Sequence, residues 1–260
     1  MNAERKSIFS PNKIVAIVIY LLVLLLLAGI ITIGIGIVLG IKEGLDQEIL
    51  INSFASTDFV GYAPEYIRVN AIAQGWGNFI GYLISFIAVV FFMRDDVATD
   101  FKGLLEKKKY YSFYCIVALV VFMLASLLVE GIIAQFVDDS SNQIVIEAIL
   151  NNGGAVPMVL ATVLLAPVVE ELIYRKAIFS LGNKYGLLTS YVFSILFFTL
   201  PHMLSSDMSN MGIWLLQCIP YAFSGGLLCL IYHKSNYNIY TCIIVHMANN
   251  LIACVLAFMG

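Results

Sequence analysis

The chain has 260 residues, of which 61% are hydrophobic and only 12% charged, with a net charge of −3. A soluble domain of this length needs far more charged surface. No basic balance points to nucleic acid, and the apolar residues form long continuous runs instead of the alternation of barrel strands. The fold class is therefore all-α: a polytopic transmembrane helical bundle of about seven spans, with eight possible.

Uncharged stretches fall at residues 14–41, 69–93, 110–129, 155–169, 186–206, 212–232 and 239–259. The first follows Arg5, Lys6 and Lys13 but is too long for a signal-peptide core and lacks a small-x-small cleavage site, so it reads as a retained span. Residues 42–68 form a mixed loop with a short amphipathic piece. The fourth stretch is the weakest, because charges follow it closely. Residues 1–154 read as N-terminal helices and loops, and residues 155–260 as the part that carries the chemistry.

Twelve of the fourteen basic residues fall on alternate sides of these spans: at the N-terminus, at 94–109, at 175–184 and at Lys234. Only Lys42 and Arg68 fall on the other side, which carries acidic residues such as Asp58, Glu130, Asp138, Asp139 and Glu147. The excess of Lys and Arg predicts a multi-pass cell-membrane protein with its N-terminus cytoplasmic and its C-terminus outside. The five cysteines all lie within spans, where packing is their expected role.

Ionisable groups at membrane depth are costly and mark candidate sites. Glu170 and Glu171 close the fourth stretch. On a helix Glu171 faces Arg175, four residues on, whereas Glu170 is turned about 100° away. One carboxylate is thus neutralised, and the other is free to act as a general base. An ordinary Glu–Arg pair at a helix end accounts for the motif equally well. His202 follows Pro201 late in the fifth span, and Pro167 precedes Glu170 by three residues. Both prolines remove an amide and open the backbone one turn back, as prolines in many membrane helices do. A lone His in a span is more often a hydrogen-bonding group between helices. In the last span His246 and Asn250 share a face, suited to an oxyanion hole or to a polar stripe that glues helices. Cys242 and Cys254 extend that stripe, which makes a metal site conceivable. Ser224, Gly225 and Gly226 permit close approach of a helix or of an extended peptide, and Pro220 opens or kinks that span. His233, beside Lys234, carries no catalytic role.

Together, Glu170-Glu171…Arg175, Phe198…His202 and His246…Asn250 resemble the CAAX-protease and bacteriocin-processing family of intramembrane peptidases, also called the Abi family. Its pattern is Glu-Glu-x-x-x-Arg, then Phe-x-x-x-His, then His-x-x-x-Asn or Asp, on separate spans. The resemblance covers about residues 155–255. The eukaryotic Ras-converting prenyl protease of this family has eight spans. The resemblance implies peptide hydrolysis in the membrane, on a membrane-associated, prenylated or leader peptide. Glu170 and His202 would activate water, His246 and Asn250 would stabilise the oxyanion, and Glu171 and Arg175 would brace the site. Zinc is the implied alternative cofactor, with Glu170, His202 and His246 as ligands; the His-Glu-x-x-His spacing is absent, which favours a metal-free glutamate peptidase. Non-catalytic alternatives are a bacteriocin self-immunity protein or scaffold, and a proton-relay transporter. The expected site lies within the membrane and is reached from the cytoplasmic side.

Overall fold

The computed structural model describes residues 10–56, 59, 61–138, 141–204 and 206–259. Arg5, Lys6, Asp58 and Asp139 of the charge pattern lie outside them. Among the described residues ten helices follow in chain order: α1 Pro11–Glu43, α2 Gln47–Ser53, α3 Pro64–Phe92, α4 Arg94–Glu106, α5 Lys108–Ile133, α6 Ser141–Asn151, α7 Ala155–Gly182, α8 Leu187–His202, α9 Met211–Lys234 and α10 Ile239–Met259. No strand occurs among the described residues. Helices α1, α3, α5, α7, α9 and α10 are long and apolar enough to cross a membrane. The fifth apolar stretch, expected at 186–206, forms only the 16-residue α8. That is about 24 Å of helix, short of a hydrocarbon core of roughly 30 Å. The chain leaves the helix one residue after the Pro201–His202 pair.

Three polar helices lie between the spans. Asp46 caps α2 by accepting from the amides of Glu48 and Ile49, so the expected short amphipathic piece is a capped helix. The segment after the second span, expected as a basic loop, is helix α4, and the acidic segment before residue 155 contains helix α6.

Large apolar side chains on the outer faces are open to the surroundings, for example Leu188 at 78% and Val156 at 71% exposure. Such faces suit lipid and not water. Inside, small residues let helices approach closely. A Cβ on Gly81 of α3 would stand 2.9 Å from that of Ala28 on α1, and one on Gly77 would overlap Thr32. Helix α7 is the hub: 61% of its apolar window is buried, against 17–33% in the other five long helices.

A buried latch closes the end of the bundle where α4 lies. Asp100 of α4, 1% exposed, pairs with Lys176 of α7 at 2.5 Å and accepts from the backbone N–H of Ile239 at the start of α10 at 3.0 Å. Lys13 of α1 pairs with Asp96 of α4 at 3.4 Å. Lys176 and Lys13, counted in sequence within the basic excess on one side of the spans, are therefore interior groups. Buried charges need such partners.

Candidate active site

Glu170 and Glu171 sit in the middle of α7 between two π-helical stretches, Leu160–Leu165 and Leu172–Ile178. The first follows from Pro167. In the π register the N–H of Ala166 bonds Ala161 O, five residues back. The carbonyl of Thr162 would then need the N–H of residue 167, which proline lacks. That carbonyl takes the side chain of Asn250 instead, Nδ2 donating at 2.9 Å. One proline thus links α7 to α10 at the level of the site, and an amide has a second N–H left over.

Glu171 and Arg175 pair as their spacing requires, Oε2 to Nε at 3.2 Å, both 0% exposed. Arg175 also donates from a terminal nitrogen to the carbonyl of Gly225 at 3.2 Å and lies over the Phe198 ring at 4.4 Å. Gly225 allows this close approach: a Cβ would stand 3.0 Å from Phe198. Close helix packing, not a peptide track, therefore accounts for Gly225. The other oxygen of Glu171 accepts from Nδ1 of His246 at 2.8 Å. One buried carboxylate thus holds both an arginine and a histidine.

Glu170 is not free, as the sequence reading had it. Its Oε1 accepts from the hydroxyl of Tyr82 on α3 at 2.6 Å. Its Oε2 stands 4.0 Å from Nε2 of His246. That gap is too long for a hydrogen bond and suits one bridging oxygen at about 2.8 Å from each atom. His202 donates from Nδ1 to the carbonyl of Phe198 at 2.7 Å, since a carbonyl only accepts, and this leaves Nε2 as an acceptor. The His202 ring packs at a tilt against Phe198 and Tyr221, each centroid 4.8 Å away.

Glu170, His202, His246 and Asn250 all line one cavity of about 1170 Å³. Its walls continue to Ser56, Gln217, Glu130 and Asp138, at the end of the bundle opposite α4. The sequence expectation was access from the cytoplasmic side, taken as the basic end; the cavity extends instead towards the acidic end. The basic end is filled by the α4 latch. Among the charged residues lining the cavity there is no Lys or Arg. His233 is remote from it and bonds Tyr191 at 3.0 Å.

Residues 152–252 match the family model of the Rce1-like type II CAAX prenyl endopeptidases. The Rce1-like segment is well under half of the chain, and it holds all three motifs. UPF0177 protein YajF of Lactococcus lactis is 27% identical over 128 residues, 47% of this chain. The aligned part spans 60% of that relative's length. No solved structure matches. Tyr82, the partner of Glu170, comes from outside the Rce1-like segment. It ends a polar stripe on α3, Asn70-Gln74-Asn78-Tyr82 at four-residue spacing, of which the last three line the cavity. That spacing was the sequence signal that could have found it.

Zinc sites take three protein ligands with one position open. Among the described residues no group of three or more His, Cys, Asp or Glu stands in a metal-holding arrangement. The five cysteines are free thiols; four are buried and one is partly so.

Proposed function

We propose that this chain is a CAAX-type intramembrane endopeptidase that hydrolyses a peptide bond with water activated by Glu170. The observation that supports this most is the gap between Glu170 Oε2 and His246 Nε2, in a cavity that also holds His202 and Asn250. A water there is oriented by Glu170 and by the acceptor nitrogen of His202. Glu170 takes its proton as the oxygen attacks the scissile carbonyl carbon. The oxyanion faces the second N–H of Asn250 and, with His246 as the imidazolium that has both ring nitrogens protonated, its Nε2–H, the Nδ1–H being anchored on Glu171. Glu170 then returns the proton to the leaving nitrogen. One water is consumed, and a carboxylic acid and an amine are formed. Arg175 balances Glu171, so the brace does not compete for the proton.

The substrate is a membrane-associated peptide that enters from the acidic end. On the charge rule that end faces outside, so leader peptides and the exposed tails of membrane proteins have direct access, whereas a prenylated cytoplasmic protein does not. No step needs a metal.

The test is cleavage, in detergent, of a library of membrane-associated peptides with and without lipid groups, read by mass spectrometry in ¹⁸O water. One ¹⁸O should enter the new carboxyl terminus, and Glu170→Ala and His202→Ala should abolish the products while the protein stays folded. Full activity in either variant contradicts the mechanism. Activity lost in metal-free buffer and restored by zinc contradicts its metal-free form.

A further inference from the structure

We infer that Gln74 and Asn78 of α3 bind the main chain of the substrate, and that the segment leading to the scissile bond lies extended along this helix. The inference rests on the peptidase reading and adds the conformation that the substrate must take. Both residues lie outside the Rce1-like segment.

Helix α3 runs from the acidic end, where it follows α2, to the latch at α4. Close packing along its back sets its rotation. A Cβ on Gly75 would stand 2.7 Å from the carbonyl oxygen of Gly154, just before α7, and one on Gly81 would meet Ala28 of α1. Gln74, Asn78 and Tyr82 line the cavity.

Hydrogen bonds fix what each amide offers. Ser53 of α2 donates to the carbonyl of Leu50 at 2.7 Å, and a carbonyl only accepts. That proton is spent, so Asn70 must donate to Ser53, Nδ2 to Oγ at 2.9 Å. The oxygen of Asn70 then accepts from Nε2 of Gln74 at 2.5 Å. Ser53 and Asn70 are both 0% exposed, which shields this network from exchange. Asn78 Nδ2 donates to the main-chain carbonyl of Gln74 at 2.9 Å. Each amide thus has one N–H committed and a second N–H left over. Gln74 Oε1 and Asn78 Oδ1 accept from none of the described residues.

An amide with a spare oxygen and a spare N–H can pair with the N–H and C=O of one residue in an extended chain. The spacing fits as well. Residues 74 and 78 are four apart, a rise of about 6.0 Å along the helix. Alternate residues of an extended chain present the same edge and repeat at roughly 6.4–6.8 Å. Tyr82 lies one further turn inward and donates to Glu170. Gln74 is therefore about 12 Å from the level of the base, or roughly four extended residues. An intact transmembrane helix cannot use this track, because its own carbonyls hold its N–H groups. The substrate class is a peptide unwound over roughly four residues beside the scissile bond, such as a tail or a leader.

Two measurements on the full chain in detergent test this. In the first, the peptide library used for cleavage is presented to Glu170→Gln, and retained peptides are read by mass spectrometry. Gln74→Leu and Asn78→Leu, each added to Glu170→Gln, should weaken retention roughly 2- to 10-fold, the worth of a neutral hydrogen bond. In the second, one retained peptide is N-methylated at each backbone nitrogen in turn. Two positions two residues apart should weaken binding, and the position between them should not. Gln74→Leu should remove the sensitivity of one and Asn78→Leu that of the other, a pattern that a merely structural change in α3 would not produce. Gln74→Leu strands the buried oxygen of Asn70; if it does not fold, Asn78→Leu carries both measurements. No retained peptide, unchanged retention in the Leu variants, or a scan without the two-residue period overturns the track. Cleavage by wild type but not by Glu170→Gln, beside any of these, leaves the peptidase intact. Cleavage by Glu170→Gln at the wild-type rate removes the peptidase reading, and the scan then decides the track by itself.

Discussion

Arg175 is the residue on which the site's geometry most depends. It is buried completely, and its fork reaches Glu171 and the Gly225 carbonyl while its plane covers Phe198. Breaking a buried ion pair by removing one partner costs about 3–5 kcal/mol. Arg175→Met should lose stability on that scale in a thermal or denaturant unfolding curve. Arg175→Lys should lose a substantial part of it, because an ammonium can neither stack nor bridge two acceptors in one plane. Wild-type stability in Arg175→Met would show that the brace is dispensable. The Glu171–Arg175 pair was legible from its spacing of four. The bond from His246 to Glu171 was not, because it joins residues 75 apart in sequence on different helices. Nor was the bond from Tyr82 to Glu170: the polar stripe on α3 singles out Tyr82, but nothing local to it says that it ends on a carboxylate.

At the scale of the element, α7 shows how a sequence feature becomes a tertiary contact. Pro167 leaves the Thr162 carbonyl without a helical partner, and Asn250 supplies one. Pro167→Ala restores the missing amide and lets the helix compete for that carbonyl. Asn250 should then lose its fixed position, and kcat should fall by up to about 100-fold, as small misplacements at active sites do, with the protein at least as stable. Unchanged kcat would mean that Asn250 is held in some other way. Gly225 makes the complementary point on α9. Gly225→Val should press on Phe198 and cost about 1–3 kcal/mol by overpacking, measured by unfolding, with cleavage reduced because Phe198 carries His202. The sequence left two readings open for the Ser224–Gly226 segment: the ring of Phe198 against Gly225 supports helix packing there, while Ser224 lines the cavity. Hydropathy located all the long helices. It missed α4 and α6, whose polar faces look like loops to an apolar window.

For the whole molecule, the bundle is closed at one end by the α4 latch and open at the other into the cavity. Charge counting assigned the basic end to the cytoplasm, and that assignment is a reading still to be measured. In cells whose native thiols are blocked, Asp138→Cys should react with a membrane-impermeant maleimide from outside, and Lys184→Cys only after permeabilisation. The reverse pattern would turn the cavity towards the cytoplasm and change which peptides can reach it. The sequence reading expected a site reached from the cytoplasmic side, taken as the basic end, whereas the cavity extends towards the acidic end. The reason is physical: charge asymmetry reports which end faces which compartment, whereas the position of a cavity mouth depends on how helices splay, and that is set by packing around α7.

The claim at the centre of the account is that Glu170 performs the chemistry in a preassembled site with His202, His246 and Asn250. The most direct measurement is the rate of peptide-bond cleavage by purified Glu170→Gln beside wild type, with both proteins shown to be folded by their unfolding curves. Glu170→Gln keeps the shape and the Tyr82 contact but cannot take a proton, so turnover should fall by about 10²–10⁴, the scale of a lost general base, with substrate binding retained. Cleavage by Glu170→Gln at the wild-type rate would contradict it.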